Sequence, residues 1–488
     1  MKQSFIYILV GLFTGNSIAQ KQDLSLKYSA YIDSVDLKKH LTVLASDAYE
    51  GRETGKKGQQ MTAEYLIASF KQDGCSLAPG MTVYEQFFDV IESTPGGNMS
   101  IGSHSFEFKT DFIYFGAKRK WNAEKLPIYT LEAAKKIKPS AYILVATLSS
   151  MDVRAEVAAI KKDAPAGYKS ILLVTTNYAQ LYEYLEHYTT QKTMRLADET
   201  ASKEETPTIV INSVAFEKVL LKKHLFLVGK GKNKKAAHKK SIGLLSANFN
   251  SNETKLTSSN VLAYIPGSDP ILSKEIVVIT AHYDHIGVDN GVVYNGADDD
   301  GTGTVALLEI AEAFMQAKKE GNAPRRSILI MPVSGEEKGL LGSAYYAAHP
   351  IIPLENTIAD LNIDMIGRND IAHEKTNDYI YIIGSNMISD DLHNANEAAN
   401  TKYTQLKLDY KFNDLNDPNQ FYYRSDHYNF AKNGIPSVFY FSGVHDDYHQ
   451  PTDDIEKIIF SKVEKVSRLV FHTAWILANK TERPALKM

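Results

Sequence analysis

The sequence holds a single cysteine, Cys75, among 488 residues. One thiol cannot close an intramolecular disulfide, and it excludes every metal site built from clustered thiolates. A bound metal would have to rest on His, Asp and Glu. Charge of one sign is also missing: 54 Lys and Arg against 58 Asp and Glu leave −4. A dedicated nucleic-acid binder carries a basic excess, so nucleic acid is not an expected partner. No apolar run approaches the roughly 20 residues that span a bilayer, so stable membrane insertion is not expected. Internal repeats and low-complexity tracts are absent. What remains is a globular balance, 44% hydrophobic and 23% charged, which excludes wholesale disorder and a fibrous fold. At roughly 150 residues per domain, the length suits three domains or one large domain with an insertion.

The N-terminus reads as a secretory signal. Lys2 precedes the apolar run FIYILVGLF, residues 5–13, too short to span a bilayer. Ser17 and Ala19 supply small residues at the −3 and −1 positions, which predicts cleavage between Ala19 and Gln20. No cysteine follows that point to carry a lipid. The expectation is export, to a periplasm or beyond the cell.

LKKHLTVLAS and MTAEYLIASFKQDG carry apolar residues at helical spacing, with Gly74 as a C-cap, and the polar loop EGRETGKKGQQ lies between them. Between about 111 and 255 the texture changes to short strand-like runs, AYILVATL, SILLVTTN and TPTIVINS, followed by the amphipathic AFEKVLLKK. That alternation predicts a separate lobe inserted into the chain. Its basic end, residues 222–240, lacks interleaved aromatics and reads as a solvated loop. From 258 onward NVLAYI, EIVVITAH, SILIMPVS, DLNIDM and SVFYFSG alternate with helical stretches. This is the pattern of an α/β fold whose sheet is buried on both faces, and such sheets gather ligands at the carboxyl ends of their strands.

Candidate ligands stand at those ends. His282, Asp284 and His285 close one run; Asp298, Asp299 and Asp300 form a loop; Glu336 and Glu337 follow another run; Asp364 sits late in a fourth; His449 lies in a loop after a fifth. Unpaired charge at the end of a buried strand is costly, and a divalent cation commonly offsets it. Imidazole and carboxylate without thiolate suit a catalytic zinc site, or a pair of ions bridged by one carboxylate. Taken singly, each motif has an ordinary alternative. The Asp loop could be a turn or a calcium loop, though DDDGTG lacks the spacing of an EF-hand. Ser425, Asp426 and His427 contain the residue types of a hydrolase triad, but adjacency does not make a triad and no GxSxG elbow occurs.

Together, AHYDH, NGADDDGTG, SGEEKGLLGS, NIDMIG and YHQPTDD occur in the order found in the secreted co-catalytic zinc aminopeptidases, and the chain resembles that family. Glutamate carboxypeptidase, glutaminyl cyclase and the transferrin receptor ectodomain belong to the same group. LASDAYEGRETGKKG, NVLAYIPGSD and SDHYNFAKNGIPSVFYF are similar to its other signatures, over about 35–110 and 255–480. The resemblance implies a mixed, mostly parallel sheet with helices on both faces. Residues 20–110 and 256–488 would form the catalytic domain, and residues 111–255 an insertion resembling a protease-associated domain. It implies two zinc ions: one on His282 and Asp364, one on Glu337 and His449, with Asp299 bridging and a cis peptide following it. Glu336 would be the general base, Asp284 would orient His282, and Tyr448 would stabilise the oxyanion. His285 and His445 receive no role. Peptides are the implied substrates, for an aminopeptidase; a carboxypeptidase, a dipeptidase, a one-zinc cyclase and an inactive binding ectodomain are the alternatives. The preferred residue and the oligomeric state stay open.

Overall fold

The computed structural model describes residues 23–116, 120–190, 192–198, 206–220 and 241–487. The signal expected at residues 1–19 and the basic stretch 222–240 lie outside them. Among the described residues, no helix is long and apolar enough to cross a membrane.

Seven strands of the C-terminal half form one mixed sheet, in the order Ala263–Ile265, Ser327–Val333, Ile276–His282, Thr357–Ile363, Ser437–Phe441, Tyr379–Ile383, Lys407–Asp409. The four from Ser327–Val333 to Ser437–Phe441 run parallel to one another. Ile276–His282 is buried at every residue, which is why its sequence is a continuous apolar, β-branched run. Its side chains still alternate. Val277, Ile279 and Ala281 join the core beneath the helices Gly303–Lys319 and Phe460–Asn479, while Ile276 and Val278 pack with Tyr346 and Phe430 on the other face. The early helices Ser34–Leu44 and Lys57–Asp73 close the first of these cores. The second ends at Gly74 in the left-handed conformation, φ 88°, as the C-cap reading requires.

The inserted lobe is built on a nine-stranded sheet. The TPTIVINS run forms Thr208–Asn212, paired with Phe112–Phe115 and Tyr168–Thr175 and not with the seven-stranded sheet. The two sheets are joined by a long ribbon. Glu85–Ile101 pairs with Leu244–Val261 in register from Glu85↔Val261 to Ile101↔Leu245. The lobe's sheet therefore begins well before residue 111 and runs past 255. The STPGGN stretch looks like a break, but Pro95, Gly96 and Gly97 stay paired with Ser251, Asn250 and Phe249. A Cβ on Gly97 would come 2.7 Å from the Asn248 carbonyl oxygen, so glycine is what lets the strands approach there. Phe88 stacks on Tyr345 with ring centroids 5.3 Å apart, and Lys56 meets Glu92 at 3.0 Å, seating the ribbon against helix Leu341–Ala348 and the start of helix Lys57–Asp73.

Candidate metal centre

The three adjacent parallel strands around Ile276–His282 end side by side. His282 is the last residue of its strand, Asp364 follows Ile363, and Glu336 and Glu337 lie just past Val333. The turn Ala297–Thr302 brings Asp299 over them, and the loop after Phe441 returns His449. The three consecutive aspartates divide their work. Asp298 Oδ1 accepts from the backbone N–H of Gly367 at 2.6 Å and the hydroxyl of Thr302 at 3.0 Å. Asp300 accepts from the backbone N–H groups of His282, Met365 and Gly303 at 3.2, 3.1 and 2.9 Å. Both are spent on the loop's own shape. Of the three, Asp299 faces His282, His285 and His449, and the Asp299–Asp300 peptide is cis.

The loop is held from outside by a residue that the motif reading passed over. Arg52, fully buried, donates to the carbonyls of Tyr283, Leu44, Asn295 and Gly296 at 3.1, 3.0, 2.6 and 2.8 Å. It lies inside EGRETGKKG. The sequence shows it only as one arginine in a polar, glycine-punctuated loop.

Two half-sites share Asp299. His282 Nε2 lies 3.2 Å from Asp299 Oδ1 and 3.6 Å from Asp364 Oδ1. His449 Nε2 lies 3.2 Å from Asp299 Oδ2 and 3.1 Å from Glu337 Oε2. His285 enters the second half-site, with Nδ1 2.7 Å from Glu337 Oε1 and 3.8 Å from Asp299 Oδ2. Its position three residues after His282 was visible in the sequence, but spacing alone did not say which way the ring turned. His445 braces the loop, with Nε2 3.2 Å from Asp298 Oδ2.

The residues present fit divalent cations. Asp299 Oδ2, Glu337 Oε1 and both ring nitrogens of His285 are buried without a hydrogen-bond partner. Donor atoms of His282, Glu336 and Asp364 cluster closely enough to hold an ion, and so do those of His285, Asp299 and Glu337. Orphaned donors of this kind are what a cation satisfies. Burial opposes charge on His282, but Glu336, Asp364 and Asp299 outweigh it and push the imidazole well above its ordinary range.

The two adjacent glutamates diverge. Burial and Asp299 oppose charge on Glu337, yet the imidazoles of His285 and His449 beside it bring it down to about 2. Burial pushes Glu336 well above the usual carboxylate range, and Glu337, Asp364 and Asp426 add to the effect against His282. Asp284 sits differently from its expected role. His282 Nδ1 meets the backbone carbonyl of Asp284 at 3.0 Å, while the carboxylate stands 3.9 Å away. That carboxylate accepts from the Thr54 hydroxyl at 2.6 Å and the Glu336 N–H at 3.3 Å, so it braces the glutamate loop. Tyr448 stacks on His449 at 3.9 Å, and Arg424 donates to its hydroxyl at 3.4 Å. Burial and the neighbouring Asp299 and Glu337 raise the phenol, which keeps it an O–H donor. Met365, Phe421, Phe439, Phe441 and Val444 wall a small pocket together with Asp299, Glu336, Asp364, Arg424 and Tyr448. Ser425, Asp426 and His427 do not form a triad: Ser425 donates to Asp364 at 2.7 Å, Asp426 bonds Ser343, and both His427 nitrogens lack side-chain partners.

The fold and donor set define an α/β protein with room for cations at the carboxyl end of its sheet. Residues 260–474 match the model of peptidase family M28. Among curated proteins, the "Probable leucine aminopeptidase" of Arthroderma otae is 31% identical over 46% of this chain and 59% of its own length. Aminopeptidase YwaD of Bacillus subtilis is 27% identical over 47% of each. The chain thus spans about 59% of the first of these relatives. Two solved structures share the fold. The aminopeptidase from Aneurinibacillus sp. strain AM-1 is 17% identical, with 95% of this chain and 98% of that one covered and a TM-score of 0.57. The zinc aminopeptidase BSAP from Bacillus subtilis is 19% identical, with 92% and 96% covered and a TM-score of 0.53.

Proposed function

We propose that the protein is an exported zinc aminopeptidase that binds two zinc ions per chain and removes N-terminal residues from peptides. The observation that carries this reading is the sharing of Asp299 between two histidine–carboxylate half-sites, with Glu336 beside His282 and Asp364. His282 and Asp364 would hold one zinc, Glu337 and His449 the other, with Asp299 between and His285 against the second. Bound zinc supplies Lewis-acid polarisation of the scissile carbonyl and a lowered pKa for the attacking water. Glu336 takes the proton of that water and returns it to the leaving amine. Tyr448 donates its O–H to the oxygen of the tetrahedral carbon. Met365, Phe421, Phe439 and Phe441 form one wall of the small cleft beside Glu336, where the N-terminal residue would enter. The inserted lobe is read as protease-associated on the run TPTIVINSVAFEKVL and its place as an insertion.

A panel of aminoacyl chromogenic substrates, N-blocked peptides and C-blocked peptides, with and without chelator, tests the reading. The expected result is hydrolysis of free-amine substrates that chelation abolishes and zinc restores. Turnover of N-blocked peptides alone would replace it with a carboxypeptidase. Cyclisation of N-terminal glutamine with one zinc per chain would replace it with a cyclase.

A further inference from the structure

Behind the first half-site, the strand Thr357–Ile363 carries a polar stripe on a fully buried element. Asp360, Asn362 and Asp364 alternate with Leu361 and Ile363, so their side chains share one face. Thr280 stands beside Asn362 in parallel register. Five side chains touch in sequence. Asp360 Oδ1 and the Thr280 hydroxyl are 3.0 Å apart, and that hydroxyl lies 2.8 Å from Asn362 Oδ1. Asn362 Nδ2 is 2.8 Å from the Ser425 hydroxyl, which is 2.7 Å from Asp364 Oδ2.

Each of these four contacts needs one proton. Thr280 and Ser425 bring one each. The Asn362 amide brings one, because it turns its oxygen to one side and its nitrogen to the other. Reversing the amide changes the direction of the chain and not the number. Three protons serve four contacts, so a carboxyl at one end must supply the fourth. Asp364 opens on the half-site, where its Oδ1 faces His282 Nε2 at 3.6 Å, and a ligand carboxylate is ionised. Asp360 is fully buried, and its Oδ2 has no partner. An ionised carboxylate with an orphan oxygen there would be far costlier than a neutral acid.

We propose that Asp360 is a neutral carboxylic acid whose proton starts a one-way hydrogen-bond chain through Thr280, Asn362 and Ser425. The chain holds Asp364 Oδ2 and leaves Oδ1 turned towards His282, free to serve a cation there. Asp360, Thr280 and Asn362 are positioning residues, acting through Ser425 on a ligand; the reading of Asp364 as that ligand rests on the function proposed above. Burial, with Asp426 adding, pushes the Asp360 carboxyl in the same direction.

Infrared difference spectroscopy at neutral pH on the zinc-loaded full chain reads the proton without reference to activity. Native minus Asp360→Asn should show a neutral-carboxyl C=O band belonging to the native protein. A difference confined to carboxylate bands overturns the proposal. Thr280→Val keeps the shape of the side chain and removes the second link. It should shift the same band and weaken one of the two zinc ions roughly 10–100-fold in chelator competition, the range for a ligand's supporting contact, with the other ion unchanged. Native band position and native affinity for both ions in Thr280→Val would overturn the proposal independently of how Asp360→Asn folds. A chain that binds no zinc yet shows the band refutes the metalloenzyme reading while leaving the Asp360 proton established.

Discussion

Glu336→Gln separates the chemistry from the scaffold. The side chain keeps its size, and the backbone N–H to Asp284 Oδ1 at 3.3 Å does not depend on the carboxylate. Its loop is further fixed by the Leu341 N–H to Gly335 carbonyl bond at 2.9 Å. What is lost is a proton acceptor. Removing a general base costs about 10²–10⁴ in kcat, or roughly 3–5 kcal/mol of barrier at about 1.4 kcal/mol per tenfold. KM should change little, because ground-state binding needs no proton transfer. Zinc content should stay at two per chain, because His282, Asp299, Asp364, Glu337 and His449 remain. Single-turnover rates on an aminoacyl chromogenic substrate, with elemental analysis of the same sample, give both readouts. The outcome that sinks the assignment is either near-native kcat or the loss of a zinc ion, which would make Glu336 a ligand in the group it forms with His282 and Asp364.

Glu337→Gln should do the reverse. It removes a charged donor facing His285 and His449, so one zinc should dissociate at lower chelator concentration, and saturating zinc should recover part of the activity; retention of both ions at native affinity would refute the role. Arg52→Lys should lower stability by about 2–4 kcal/mol, because one ammonium cannot reach four buried carbonyls; an unchanged denaturation midpoint would show that the brace is dispensable. Glu309, remote from the metal centre, contributes a pH dependence of its own. Burial, with Glu312 and Asp36 adding, lifts it to about 8 from the usual 4.5. The folded chain keeps a proton that the unfolded chain releases between those values, so native stability falls as pH rises from 4.5 to 8. Glu309→Gln should therefore match the native protein at pH 4 and exceed it by about 2–5 kcal/mol at pH 8; an equal difference at both pH values would count against the buried carboxyl.

The sequence by itself determined the strands and most of the ligands. A run such as IVVITAH has one stable home, a strand covered on both faces, and a carboxylate or imidazole where that run stops must find a partner at the sheet's edge. Asp364, Glu336, Glu337 and His282 were legible as candidates for that reason, while Asp299 was singled out from its two neighbours only by the family resemblance. Tertiary structure decided what depends on direction and on distant chain. Which aspartate of three faces the histidines follows from backbone N–H groups of Gly367, Met365 and His282 claiming the other two. The turn of the His285 ring towards Glu337, and of the Asp284 carboxylate towards Thr54 instead of His282, are set by partners 52 and 230 residues away. Arg52 reads as a loop residue until the carbonyls of Asn295 and Gly296 arrive around it. The lobe's true limits needed the pairing of Glu85–Ile101 with Leu244–Val261, because a strand interrupted by Pro95 and Gly97 is held extended only by the partner that lies beside it.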